Sequence, residues 1–362
     1  MKKIIITTGG TGGHIFPAEA IAKGLLDAGY DITFITDKRG ANFRKLTQVP
    51  TKVVAASSVT GRSFWGKLKA FAILCFGAFQ SSWFMLLKRP DLVIGVGGYA
   101  SLPAVLAAQF LKIPTVVHEQ NAVLGRANRM LAPRVKMIAT AFADTKMVPP
   151  GISTFLVGQP VRDAILQKAN TPYPTDDKLF YLLVTGGSQG ARFLSRSLPE
   201  AILKLPAEIR SQMVITQQAR PEDVDDLQKL YQDGGFYAVT VQSFFDNMPE
   251  LLAKSHLVIG RSGSSTLAEL AIVGRPGIYV PLPTSADNHQ FENARQFAES
   301  GAGWLVVEQD FDADNLAKRL QDLIENKEEL KTAALASLAL SHPDVAEKMV
   351  ALVKPIIEGT NK

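Results

Sequence analysis

The chain has 362 residues, 46% of them hydrophobic, and a formal net charge of +5. At roughly 150 residues per domain this length favours two domains, each large enough to bury a core. The single cysteine, Cys75, excludes an intramolecular disulfide and suits a cytoplasmic setting. The apolar start ends after three isoleucines, too short for a secretory signal.

The charge is unevenly spread. Residues 1–160 carry 19 Lys/Arg and 7 Asp/Glu, a balance of +12, whereas residues 161–362 carry 20 and 27, a balance of −7. A basic first half suits an anionic membrane, a phosphorylated substrate or nucleic acid. No zinc motif and no aromatic–basic interleaving accompanies it, so nucleic acid is not an expected partner.

In chain order, short apolar strands are expected at 3–8, 32–36, 91–95, 114–118 and 135–139, then at 179–185, 212–216, 237–241, 256–260 and 277–281. Helical patterns alternate with them, which indicates parallel sheets. The first strand runs into TGGTGGH (Thr8–His14), and the first strand of the second half into TGGSQGA (Thr185–Ala191). A strand, a glycine turn and a helix form the start of a Rossmann-like unit, whose exposed helix N–H groups can hold an anion. Two such starts predict two similar α/β domains.

Phe71–Leu87 is unusually apolar. Seventeen residues would span about 26 Å as a helix, short of the roughly 30 Å hydrocarbon core, and Gln80, Ser81 and Ser82 interrupt the run. A spanning helix is therefore not expected. Lys67, Lys69, Lys88 and Arg89 flank the segment. It reads either as a buried helix or as one whose apolar face enters a membrane surface.

Gly95–Ala100 matches G-x-G-x-x-A after a strand, with Glu119 further on, which on paper is a nicotinamide-cofactor signal. It occupies the wrong strand, since the first strand of its sheet ends in TGGTGG. The segment Gly260–Glu269 (GRSGSSTLAE) offers Ser264, Ser265 and Thr266 at a helix start, suited to a diphosphate, and Glu269 one turn on, suited to ribose hydroxyls. Gln290 lies in a polar cluster, ADNHQ, that suits sugar hydroxyls. His14, His118, His256, His289 and His342 show no paired ligand spacing, so neither a catalytic metal nor a cofactor is expected.

TGGTGGH with Pro17, GVGGYAS with Pro103, HEQNAVLGRANR, GQPVR, TGGSQGAR, GRSGSST…E and ADNHQFENA, in this order, resemble the MurG family. The match runs from Met1 to about Asn293. The resemblance implies an α/β GT-B fold, two Rossmann-like domains with parallel sheets separated by a deep cleft. Residues 1–160 would form an acceptor and membrane-facing domain, with the C-terminal helix 342–362 packing back on it. Residues 161–341 would bind the UDP-sugar.

The implied activity is inverting transfer of N-acetylglucosamine from UDP-N-acetylglucosamine to undecaprenyl-pyrophosphoryl-N-acetylmuramoyl-pentapeptide (lipid I to lipid II) in peptidoglycan synthesis. Such an enzyme serves cell-wall biogenesis, cell shape and division. It would sit peripherally on the cytoplasmic face of the cell membrane, against anionic lipid, with other cell-wall synthesis proteins as further candidate partners. Carried over by motif, Thr11, Gly12 and Gly13 in the first glycine loop would contact UDP-N-acetylglucosamine, and the loop would face the lipid pyrophosphate. Ser188 and Ser264–Thr266 would contact phosphate, Glu269 the ribose, and Phe245 the uracil through its backbone, with Arg162 nearby. Gln290 and Asn121 would contact the sugar.

His14 is the first candidate for general base, because an imidazole suits neutral operation, and Glu119 is the second. Gly260, Ser264 and Gln159 depart from the residues more common at their positions. The rival readings are a nicotinamide-dependent dehydrogenase, a UDP-sugar epimerase and a non-catalytic UDP-sugar-binding subunit. The epimerase leaves HEQN and the basic half unexplained.

Overall fold

The computed structural model describes every residue except 11, 44–47, 58–62, 176–177, 188–191 and 360–362. The chain divides into two compact units, Met1–Arg162 with Asp344–Lys362, and Asp163–Pro343.

The first unit is built on β1 (Lys3–Thr7), β2 (Asp31–Thr36), β3 (Thr51–Val53), β4 (Leu92–Gly95), β5 (Thr115–Glu119), β6 (Met137–Thr140) and β7 (Thr154–Leu156). They form one parallel sheet in the order β3-β2-β1-β4-β5-β6-β7. The central strands β1 and β4 are apolar runs because both their faces are covered. Side chains alternate between faces. Ile4 and Ile6 join one core cluster with Ile21, Leu25, Val345, Met349 and Val353. Ile5 joins the other, with Met85, Leu102, Val105 and Leu131. The helices Gly12–Asp27 and Val345–Glu358 pack together on the first face.

The second unit repeats the plan with β8 (Phe180–Thr185), β9 (Met213–Gln218), β10 (Ala238–Gln242), β11 (Leu257–Gly260), β12 (Gly277–Tyr279) and β13 (Gly303–Leu305). Its parallel sheet has the order β10-β9-β8-β11-β12-β13. Wholly buried Arg275 donates to the carbonyls of Pro172, Leu252, Ala253, Val273 and Gly274, tying two helix ends to the segment before β8. In each unit the strand order reverses once, between β1 and β4 and between β8 and β11. The carboxyl end of such a switch point is where open α/β sheets bind ligands.

The apolar segment proves to be a helix of 25 residues, Phe64–Lys88. Ser63 caps it, so Lys67 and Lys69 lie within the helix and do not flank it. At about 1.5 Å per residue it measures roughly 37 Å, which corrects the length argument against a membrane span. Leu68–Lys88 is long and apolar enough to cross a membrane by length and composition.

One stripe of this helix is nevertheless committed to the protein. Ala70, Gly77, Ser81 and Met85 are buried, Leu74 and Phe84 pack on the core, and Gln80 accepts from the Ala55 N–H at 2.8 Å. The opposite side presents Trp65, Leu68, Phe71, Phe76, Phe79, Trp83, Leu86 and Leu87, each more than half exposed. The buried-helix reading thus holds for one side of the helix, and the other side leaves a broad apolar surface exposed.

Candidate active site

At the switch point of the first unit, β1 and β4 end side by side, with Thr7 opposite Gly95. The glycine loops that follow interlock. The Gly9 N–H donates to the Gly97 carbonyl at 3.0 Å, and a Cβ on Gly9 would lie 2.7 Å from Gly98 Cα. Gly97 and Gly98 have φ of 84° and 79°, the left-handed region that favours glycine. Packing against the first loop and the His14 ring therefore accounts for Gly97 and Gly98, and contact with Val105 for Gly95, without a dinucleotide.

Gly12 opens the first helix, Gly13 is exposed, and Thr11 lies outside the described residues. His14, two positions into that helix, sets its ring against Gly97, where a Cβ would come within 3.0 Å of Nδ1. His14 is half-buried, and Nδ1 is buried with no hydrogen-bond partner among the described residues. Burial holds its pKa below the ordinary 6.5, opposed by hydrogen bonds with the Gln120 side chain and the Val96 backbone. The imidazole is therefore neutral at pH 7.

Glu119 ends β5 and is buried. Oε1 accepts from the Asn121 N–H at 3.0 Å and from Asn121 Nδ2 at 3.3 Å; Oε2 accepts from the Gly125 N–H and from Asn128 Nδ2, both at 2.8 Å. Burial pushes its carboxyl above the usual carboxylate range, and these four donors pull it back. With both oxygens occupied, its contacts are those of a loop anchor. Asn121, held by that carboxylate, is half-buried on the loop.

In the second unit β8 and β11 end together, with Thr185 opposite Gly260. A Cβ on Gly260 would meet the Thr185 carbonyl oxygen at 2.7 Å, which explains glycine at this departure from the common residue. After β8 the chain turns at Gly187 (φ 74°); Ser188 lies outside the described residues. After β11, extended Gly263 precedes the helix Ser264–Val273 and contributes no side-chain cap. The first-turn N–H groups of Ser264, Ser265 and Thr266 have no intrahelical acceptor and carry the positive end of the helix dipole. Ser264 is buried, Ser265 and Thr266 half-buried, and Glu269 follows about one turn on, also half-buried.

Phe245 is buried and its neighbour Phe244 exposed, so the Phe245 ring packs inward. The Gln290 backbone accepts from Ser262 Oγ at 2.8 Å, and its Oε1 accepts from the Leu282 N–H at 3.0 Å. Arg162, exposed, is the last residue of the first unit before the chain enters the second.

Two further residues emerge only from the geometry. Gln218 accepts from the Thr185 hydroxyl at 3.0 Å and donates to the Ser243 carbonyl at 3.2 Å, bridging the start of the glycine loop to the segment carrying Phe245. Arg261 pairs with Glu308 and donates to the carbonyls of Val280 and Pro281, both at 3.2 Å, fixing the turn ahead of Gln290. Gln218 is a single polar residue without a spacing partner, so no sequence pattern marks it; Arg261 lies inside GRSGSST, but that pattern points to the helix start and not to this ion pair. No cluster of three or more His, Cys, Asp or Glu suited to a metal occurs among the described residues.

Residues 4–140 match the glycosyltransferase family 28 N-terminal domain, and residues 181–349 its C-terminal domain. The chain is 45% identical over 359 residues, 98% of its length and 96% of the relative's, to the UDP-N-acetylglucosamine–N-acetylmuramyl-(pentapeptide) pyrophosphoryl-undecaprenol N-acetylglucosamine transferase of Paramagnetospirillum magneticum. The crystal structure of Acinetobacter baumannii MurG superimposes with a TM-score of 0.82 at 27% identity, covering 98% of this chain and 99% of that one. The UDP-GlcNAc 2-epimerase of Neisseria meningitidis shares the fold at a TM-score of 0.69 and 15% identity, covering 97% and 100%. The two parallel-sheet, Rossmann-like units are thus the GT-B fold, and the chain belongs to the MurG family within glycosyltransferase family 28.

Proposed function

We propose that this chain transfers N-acetylglucosamine from UDP-N-acetylglucosamine to undecaprenyl-pyrophosphoryl-N-acetylmuramoyl-pentapeptide, converting lipid I to lipid II. The observation that carries the reading is the uncapped helix start at Ser264–Thr266, on the switch point of the second sheet, with Glu269 one turn beyond. The second unit binds the donor. The Ser264–Thr266 N–H groups, with Ser188, hold its diphosphate, and Glu269 takes the ribose. The Phe245 backbone meets the uracil with Arg162 nearby, and Gln290 and Asn121 address the sugar.

The first unit binds the acceptor, its first glycine loop facing the lipid pyrophosphate, and Thr11, Gly12 and Gly13 are assigned to contact with UDP-N-acetylglucosamine. The acceptor hydroxyl oxygen bonds to the anomeric carbon, and its proton passes to neutral His14. The bond from that carbon to the β-phosphate oxygen breaks, and its electron pair leaves with UDP. Inversion follows from attack opposite the leaving group. The charge that develops on UDP is met by oriented N–H groups and the helix dipole. In comparable sites one such donor is worth about 3–4 kcal/mol. Glu119 holds the loop and does not itself take the proton.

We further read the exposed apolar side of Phe64–Lys88 as the surface that rests on the cytoplasmic face of the membrane, where the acceptor resides. Lys69, Lys88 and Arg89, all exposed, meet anionic headgroups. An apolar surface of this kind marks an interaction site.

The decisive assay incubates the protein with UDP-N-acetylglucosamine and a short-chain lipid acceptor. UDP release that requires the acceptor, with formation of a disaccharide lipid, is the expected result. Interconversion of the donor sugar without acceptor would establish an epimerase instead.

A further inference from the structure

The motif HEQNAVLGRANR ends in two arginines that the transfer step does not use. The four hydrogen bonds to Glu119 fix the loop before them, and Gly125 then opens the short helix Arg126–Leu131. Arg126 and Arg129 stand one turn apart, on neighbouring positions of one helix surface. Arg129 Nη1 contacts Met147 Sδ at 3.0 Å.

Lys146 precedes Met147 and is clasped to the same loop. Its N–H donates to the Ala122 carbonyl at 2.8 Å, and its carbonyl accepts from the Leu124 N–H at 2.9 Å. Met147 is held at φ 63°, a left-handed conformation unusual for a residue with a side chain. Arg126 and Lys146 are exposed and Arg129 half-buried; Met130 and Met147 are each more than half exposed. Asp144, exposed, is the acidic neighbour in the same loop. Three cations and two thioethers thus share one ledge, beyond the carboxyl ends of β5 and β6.

We infer that this ledge binds the peptide of the acceptor, with Arg126, Arg129 and Lys146 on a peptide carboxylate and Met130 and Met147 against its apolar side chains. The inference rests on the transferase reading above. A guanidinium fork matches a carboxylate in two parallel hydrogen bonds. Thioether side chains are flexible and polarisable, and they adapt to varied small apolar groups. A pentapeptide offers both chemistries, whereas a pyrophosphate offers only the anion.

The test compares three short-chain lipid acceptors, one with the full pentapeptide, one with its carboxylates amidated and one without peptide. Wild-type protein should show an acceptor KM about tenfold higher on the last two, worth ~1.4 kcal/mol. Arg126→Ala/Arg129→Ala and, separately, Lys146→Ala should raise KM on the full acceptor by a similar factor. They should converge with wild type on the amidated and peptide-free acceptors, and retain the affinity for UDP-N-acetylglucosamine. An equal rise on the peptide-free acceptor would overturn the inference and assign the cations to the lipid pyrophosphate. Unchanged KM on every acceptor would overturn it outright. Failure of wild-type protein to turn over any acceptor would instead overturn the transferase reading.

Discussion

Asn128 donates from Nδ2 to Glu119 Oε2 at 2.8 Å, and the same oxygen accepts from the Gly125 N–H at the same distance. The pair closes the loop that carries Asn121. Glu119→Gln would place an amide nitrogen against N–H donors and leave at least one of them unsatisfied. Hydrogen bonds to a charged group are worth about 1.5–3 kcal/mol each. The variant should lose at least tenfold in kcat/KM, with donor affinity weakened as well, because Asn121 is held by the same carboxylate. Its pH–rate profile should keep the wild-type acid limb. A profile without that limb would make Glu119 the base.

The acid limb is expected to belong to His14. Burial lowers its pKa, so the neutral form that can take a proton persists below pH 6.5. The rate should fall as pH drops through an apparent pKa below 6.5. General-base catalysis contributes roughly 10²–10⁴-fold, so His14→Gln should lower kcat by at least about 100-fold and abolish the limb. Isothermal titration with UDP-N-acetylglucosamine should show little change in Kd. Comparable losses in turnover and donor affinity would rule His14 out as the base.

Gln218 makes a different kind of contribution, because it touches no ligand in the proposed reaction. Its amide links Thr185, which begins the glycine loop, to Ser243, two residues before Phe245. Gln218→Leu keeps the volume and removes both hydrogen bonds. Donor KM should rise about tenfold while acceptor KM and kcat stay near wild type. In Gln218→Glu the carboxylate would face the Ser243 carbonyl, and only its protonated form can donate there. Donor affinity of that variant should therefore recover as pH falls, which a purely structural loss would not show.

Much of this architecture is legible in the sequence. Runs such as Ile4–Ile6 and Leu182–Val184 are apolar without alternation because each strand is covered on both faces. Thr51–Val53, Thr154–Leu156 and Gly303–Leu305 escape such a reading. Each is three residues long at a sheet edge, too short for a period to show. The glycines at 97 and 98 point to a ligand on pattern alone, yet their reason is Gly9 and the His14 ring. Composition marks Phe71–Leu87 as apolar but not where its helix starts, because Ser63 supplies the cap and the lysines inside the first turns follow without breaking it.

That helix yields a membrane prediction with an internal control. Phe79 and Trp83 are exposed, whereas Phe84 packs on the core beside Met85. Phe79→Ser/Trp83→Ser should reduce binding to anionic vesicles by tenfold or more, since burying one such side chain is worth roughly 1.5–3 kcal/mol. Its thermal midpoint should stay near wild type. Phe84→Ser should instead lower stability by about 2 kcal/mol, because it removes apolar contact from the core. Added salt should weaken wild-type vesicle binding in part, through screening of Lys69, Lys88 and Arg89. Co-sedimentation of Phe79→Ser/Trp83→Ser equal to wild type would remove the helix from the membrane contact.

His118 governs an acid-side stability effect. Its ring is wholly buried, with Nε2 donating to the Gly158 carbonyl at 3.0 Å. Burial lowers its pKa from 6.5 to about 4, opposed by that hydrogen bond and aided by neighbouring His14. The folded state therefore refuses a proton that the unfolded chain accepts once the pH falls below about 6.5. Above that pH neither state is protonated and the difference costs nothing. Between about pH 6.5 and 4 the folded state loses stability progressively, by roughly 3 kcal/mol in all from this group. His118→Gln can still donate to Gly158 and does not titrate. Urea midpoints measured across that window should fall more steeply for wild type than for the variant. Parallel slopes would mean that His118 takes up its proton without unfolding the first unit.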